Sequence, residues 1–70
     1  MKSAREMFEE LGYVKSVTRD DGFYYTNFRG EWDINIKFDT NLKGIWVSHI
    51  VSMEVLQAIN QMCKELGWVE

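Results

Sequence analysis

Residues 32–38 read Trp32-Asp33-Ile34-Asn35-Ile36-Lys37-Phe38, and the fold turns on them. Trp32, Ile34, Ile36 and Phe38 alternate with Asp33, Asn35 and Lys37. A strand points successive side chains to opposite faces, so one face of this segment is buried and the other is wet. Such one-sided burial calls for an antiparallel sheet covered on one face only.

The segments on either side supply its neighbours. Upstream, Arg29-Gly30 predicts a turn and residues 23–28, FYYTNF, a strand. Asp20-Asp21-Gly22 predicts a second turn, with Asp-Gly as its hairpin dipeptide. Residues 13–19, YVKSVTR, are rich in β-branched types and complete a second hairpin. Downstream, residues 39–44, DTNLKG, read as a loop and residues 45–50, IWVSHI, as a fourth strand. Connections this short join antiparallel neighbours, because parallel ones need long crossovers.

Two near-identical phrases bracket the strands. Residues 7–14 read MFEELGYV and residues 62–69 read MCKELGWV. Each is the end of an amphipathic helix followed by a helix-stopping Gly and an aromatic. The first helix is predicted from Ala4 to Leu11. Ser3 is its N-cap, and Glu6 stands at capping-box spacing. Met7, Phe8 and Leu11 form its apolar stripe, and Tyr13 folds back on Phe8 or Met7. The second helix is predicted from Met53 to Leu66, capped by Ser52. Its buried stripe is Val55, Leu56, Ile59, Met62, Cys63 and Leu66. Glu54 in its first turn and Lys64 in its last both suit the helix dipole. A duplication could produce the repeated phrase, and so could a shared need to stop abruptly. The expected fold is a single α+β domain over residues 1–70. It has two layers in the order α-β-β-β-β-α, an antiparallel four-stranded meander with both helices on one face.

The predicted pairing decides which rings the helices leave uncovered. A connection centred on Arg29-Gly30 sets Tyr25 opposite Ile34 and Phe23 opposite Ile36. Phe38 facing Ile45 adds Ile45, Val47 and His49 to the inner face. The outer face then carries Tyr24, Thr26, Phe28, Asp33, Asn35, Lys37, Trp46 and Ser48. A one-residue slip would reverse the second strand. Tyr24, Phe28 and Trp46, with Lys37 among them, form the candidate binding surface, since clustered exposed rings anchor interfaces. The alternative is that these rings cover the sheet at its rim or pack beneath a loop.

Composition narrows the function classes. Seventy residues bury roughly 60% of the unfolded surface, a thin margin for stability. Three Trp, three Tyr and four Phe enrich the core, and homodimerisation is the other way to reinforce a small domain. A single cysteine, Cys63, forms no internal disulfide and fits a reducing, cytoplasmic setting. The net charge of −3 and the scattered Lys and Arg oppose nucleic-acid binding. No stretch is long and apolar enough to span a membrane, and the acidic, amphipathic MKSAREMFEE is not the pattern of a signal peptide.

No catalytic, metal or cofactor signature is present. His49 is the sole histidine and reads as a packed or half-exposed strand residue, for want of a positioned partner. Cys63 lies on an apolar stripe, where a thiol packs as a small hydrophobe. With one His and one Cys, a zinc site would need carboxylates to complete it. Glu6, Glu9 and Glu10 read as a solvated helix face. Asp20-Asp21-Gly22 lacks the alternating oxygen ligands and closing Glu of a calcium loop.

Ile50-Val51-Ser52-Met53-Glu54-Val55-Leu56-Gln57-Ala58-Ile59-Asn60, closing with Lys64-Glu65-Leu66-Gly67-Trp68, resembles small uncharacterised proteins encoded by phages and prophages of Gram-positive bacteria. In these, a short helix ending in Glu-Leu-Gly-aromatic, a β-meander and a final helix ending in Glu-Leu-Gly-Trp recur. The resemblance carries no functional residue with it, because its motifs are capping and core positions. It implies a non-enzymatic accessory protein of a mobile element that binds a host or phage protein. The alternative expectation is a single-stranded nucleic-acid-binding accessory protein using the aromatic sheet face.

Overall fold

The structure, a computed structural model, describes residues 2–69. Its elements are α1 (Ala4–Glu10), β1 (Val14–Arg19), β2 (Gly22–Asn27), β3 (Ile34–Asp39), β4 (Gly44–Val47) and α2 (Met53–Glu65). The strands form one antiparallel meander in the order β1-β2-β3-β4. Both helices cover one face, giving the α+β architecture that the alternation of residues 32–38 predicts.

Local chemistry starts and stops each helix where the sequence indicates. The Ser3 side chain accepts from the Glu6 N–H while the Glu6 carboxylate accepts from the Ser3 N–H, so a capping box closes α1. Ser52 caps α2 by accepting from the Val55 N–H. At the other ends, the Gly12 and Tyr13 N–H groups bond to Glu9 and Phe8 carbonyls, and those of Gly67 and Trp68 to Lys64 and Cys63. Gly12 and Gly67 have φ of +90° and +77°. Both repeated phrases are therefore Schellman stops, in which Gly takes the left-handed turn and the next N–H reaches back over the last helical turn.

The core is built on aromatic rings. Phe8 is fully buried, stacked on Tyr25 at 4.5 Å between centroids and edge-on to Tyr13 at 5.8 Å. Phe23 and Phe38 pair across β2 and β3 and stack at 5.0 Å. Ile34, Ile36 and Phe38 join Val55, Ala58, Ile59 and Met62 of α2 in the same cluster. A backbone hydrogen bond from Ala4 to the Glu65 carboxylate, 2.7 Å, ties the start of α1 to the end of α2.

Several boundaries and one register differ from expectation. Tyr25 pairs with Ile36 and Phe23 with Phe38, two residues along from the predicted partners. A shift of two preserves the face, so Tyr25 is buried and Tyr24 only half-buried, as the inner and outer assignment requires. Phe28, Trp32 and Asp33 lie outside the strands, in a connection where Asp33 accepts from the Arg29 N–H. Strand β4 ends at Val47 because Ser48 turns its hydroxyl onto the Asn35 N–H, taking the place of a ladder carbonyl. His49 and Ile50 are thereby outside the strand, and both are exposed. In α2 the buried stripe runs through Ala58, whereas Leu56 is turned to solvent beside Met53.

The first hairpin is also built differently. Asp20 and Asp21 are its two loop residues, and Gly22 is already paired, with Arg19 on one side and Asp39 on the other. A Cβ on Gly22 would sit 2.0 Å from the Phe38 carbonyl oxygen, and φ there is +154°. The glycine is required by close approach of the neighbouring backbone, not as the second residue of an Asp-Gly turn.

Candidate functional site

The helix-free face of the sheet is organised in two rows. In the first, Val17 pairs with Tyr24, Tyr24 with Lys37, and Lys37 with Trp46, so one row crosses all four strands. Directly opposed residues on antiparallel strands share a face, which places these four side chains side by side. The second row is polar. Ser16, Thr26 and Asn35 are linked by contacts of 2.7 Å and 2.9 Å. Thr26 donates its single hydroxyl proton to the Asn35 oxygen, so Ser16 is the donor to Thr26. Asn35 in turn donates through its backbone N–H to Ser48, whose hydroxyl lies 2.7 Å from His49 Nδ1. Thr26 is buried on this face, satisfied on both sides.

A β-bulge makes the polar row possible. The β1–β2 register shifts between Lys15 and Val17, leaving Ser16 unpaired. An extra residue in one strand re-aims its side chain. Here Ser16 turns onto Thr26 while Val17 regains the outer face. Nothing in YVKSVTR marks the bulge beforehand.

Lys37 is the only charge in the first row, and its charge is met locally. Its ammonium is 2.8 Å from the Asp21 carboxylate and 3.8 Å from that of Asp39. It also lies 5.8 Å from the centre of the Tyr24 ring, within cation–π range. The hydrogen bond from Lys37 holds the Asp21 carboxyl below its ordinary range, and the same bond raises the Lys37 ammonium. The Lys37 stem therefore extends the apolar row while its head is neutralised at the rim.

Where the row meets the β3–β4 loop, a shallow concavity of about 430 Å³ opens, lined by Tyr24, Lys37, Asp39, Leu42, Gly44, Ile45 and Trp46. The loop is shaped by Asp39, whose side chain accepts from the Asn41 and Leu42 N–H groups. That turn thrusts Leu42 outward, 81% exposed, next to Trp46 at 55%.

Of the four candidate binding residues, Tyr24, Lys37 and Trp46 stand together in this row and concavity. Phe28 does not join them. It is 63% exposed in the β2–β3 connection, beyond the end of the strand that was predicted to present it. Leu42 belongs to the site but reads as an ordinary loop residue in DTNLKG. Its signal is an apolar side chain within an otherwise polar turn.

Trp32 and His49 form a separate surface cluster. Their rings lie 4.6 Å apart, and the Arg29 guanidinium stands 5.4 Å over Trp32. This stack explains why Trp32 leaves the strand alternation. Cys63 is half-buried, and burial pushes its thiol up, away from the reactive thiolate. Glu9 and Glu10 are held in exposed ion pairs with Arg5 and Lys2. Among the described residues, no group of three His, Cys, Asp or Glu side chains is placed to hold a metal ion. Among the described residues, no helix is long and apolar enough to cross a membrane.

Compared with protein families, with curated proteins and with solved structures, the chain gives no match to any of them.

Proposed function

We propose that this chain is a non-enzymatic protein-binding module that works in the cytoplasm as an accessory factor of a phage or prophage. It engages its partner through the Val17–Tyr24–Lys37–Trp46 row. The observation that carries this reading is the coincidence, on the face without helices, of exposed Trp46 and Leu42 with a concavity between them and Tyr24. Buried aromatic anchors surrounded by a polar rim are what protein interfaces use. Asp21, Asp39 and the Ser16–Thr26–Asn35 row supply such a rim here. The mobile-element setting rests on the sequence resemblance alone.

A protein partner is favoured over single-stranded nucleic acid by electrostatics. Stacking surfaces for bases work beside cations that neutralise phosphates. The one cation of this row is already engaged by two carboxylates, and the chain is acidic overall.

The test is affinity capture from host lysate with the wild type beside a Tyr24→Ala, Trp46→Ala double variant. Loss of a captured protein with the variant supports the proposal, and equal capture overturns it. Salt-dependent binding of single-stranded RNA or DNA by the wild type, lost in the variant, would replace it with the nucleic-acid reading.

A further inference from the structure

The sheet has two edges, and they are treated very differently. β1 is bulged at Ser16 and carries Lys15 and Arg19, the devices that discourage pairing with another strand. β4 is Gly44-Ile45-Trp46-Val47, with no charge, no proline and no bulge. It lies open along its length.

The phase of the β3–β4 ladder fixes which groups face outward. The Ser48 N–H donates to the Asn35 carbonyl at 2.9 Å, so Asn35 and Ser48 form a hydrogen-bonded pair. Bonded and non-bonded pairs alternate along an antiparallel ladder. Lys37–Trp46 and Asp39–Gly44 are then bonded pairs, and Ile45 and Val47 direct their N–H and C=O groups away from the sheet. Outside the ladder, no backbone hydrogen bond reaches Ile45 or Val47 among the described residues.

We propose that β4 pairs antiparallel with β4 of a second copy, about a two-fold axis through Trp46 perpendicular to the sheet. This register sets Ile45 opposite Val47 of the other copy twice over, so each outward N–H meets an outward C=O. It sets Trp46 opposite its own equivalent in a non-bonded pair, where side chains approach most closely. No like charges are opposed, because Gly44 to Ser48 carries none. The interface is isologous, as closed dimers require. It joins two four-stranded sheets into one, with all helices on the same side. The apolar row then runs unbroken from Tyr24 of one copy to Tyr24 of the other.

The area argues for a concentration-dependent dimer. Trp46 is already half covered, and five edge residues a side bury less than the ~1,200 Å² at which standard interfaces begin. Interfaces below that size are weak and transient, so association is read from about 10 µM to ~1 mM protein.

The inference shares Trp46 with the proposed binding face but has its own readout, oligomeric state without any partner. Sedimentation equilibrium of the wild type should show the mean mass rising from 8.3 kDa towards twice that value across this concentration range. Ile45→Pro removes an outward N–H while sparing the ladder to β3, and should stay at monomer mass. Trp46→Lys and Trp46→Glu should each be monomeric alone and dimeric when mixed, which covers the case in which the proline variant does not fold. Tyr24→Ala, away from the edge, should dimerise as the wild type does. If it does so while losing the captured partner, the edge and the face are separate; if it keeps the partner, only the face reading fails. A wild type monomeric throughout, an Ile45→Pro variant that dimerises normally, or a Lys and Glu mixture that stays monomeric overturns the pairing.

Discussion

Replacing Gly22 by alanine should unfold much of this protein. The added Cβ would lie 2.0 Å from the Phe38 oxygen, 3.0 Å from the Phe38 carbonyl carbon and 3.2 Å from the Asp39 Cα. All three are backbone atoms, so no rotamer change relieves the overlap. The strands would have to part by more than an ångström, yet β2 is held by ladders on both sides. Overpacking of this kind costs about 1–3 kcal/mol. A side chain held at positive φ adds about 1–3 kcal/mol. The lower entropy of the unfolded alanine chain returns up to ~1 kcal/mol. The net is about 1–5 kcal/mol, centred near ~3 kcal/mol, against roughly 3–5 kcal/mol for a core of this size. Thermal unfolding followed by circular dichroism should show the midpoint falling by roughly 10–25 °C. Gly30→Ala is the control, since φ there is +94° with nothing within 4 Å of the added methyl. It carries the conformational penalty without the clash. If Gly22→Ala melts no lower than Gly30→Ala, close backbone approach is not what fixes this glycine.

The Asp21–Lys37 pair should leave a signature in pH. The Asp21 carboxyl is held below its ordinary 3.8, so its contribution is complete above that value and is lost as pH falls through the folded value. Lys37 is raised above 10.5, so its share persists below that and disappears as pH rises through the folded value. Asp21→Asn should therefore lower the urea midpoint at neutral pH, and the gap to the wild type should close as pH falls below the ordinary carboxylate range; an equal gap at neutral and at acidic pH would refute the pair. Native Cys63 should react with iodoacetamide at least ~10-fold more slowly than in urea, and equal rates would show the thiol to be accessible. Glu65→Ala removes the acceptor of the Ala4 N–H and should cost about 1 kcal/mol, with Glu65→Gln restoring most of it in chemical denaturation.

The parity of the sheet was legible in sequence because Ile34, Ile36 and Phe38 leave no doubt which side is apolar. The register was not, because Phe28 and Trp32 are as apolar as strand residues and extend both apparent strands into the connection. What removes Trp32 is a tertiary partner, the ring of His49, which lies seventeen positions further along the chain and beyond any local signal. Helix ends were legible to the residue class, since Ser3, Ser52, Gly12 and Gly67 act through bonds to their own neighbours. Hydrophobicity alone misplaces Leu56. Ala58 fits the periodic face three residues after Val55, and Leu56 lies about 100° round from Val55. The site was legible for Tyr24, Lys37 and Trp46, whose positions follow from parity. Leu42 depended on an Asp39 side-chain turn, and Ser16 on a bulge, neither of which alternation predicts.

The repeated Glu-Leu-Gly-aromatic phrase also separates folding residues from the rest. The same backbone stop recurs, but the rings differ in burial: Tyr13 is sealed in the core, and Trp68 is half-covered against it. A motif that performs the same local task in two unlike tertiary settings needs no common ancestry to explain it. It also accounts for two aromatics that would otherwise compete as functional candidates. Phe8, Tyr25, Phe23 and Phe38 are likewise explained by stacking under the helices. The rings without a task in the core are then Tyr24, Trp46, Phe28 and the Trp32 stack on His49. Of these, Tyr24 and Trp46 stand in the continuous row beside a concavity, and Trp46 is the one on a strand whose outward hydrogen-bonding groups are unmet. An exposed tryptophan at an uncharged sheet edge invites aggregation, which the opposite edge avoids with a bulge and two cations. That asymmetry within one sheet is the physical reason to place recognition at β4 and not at β1.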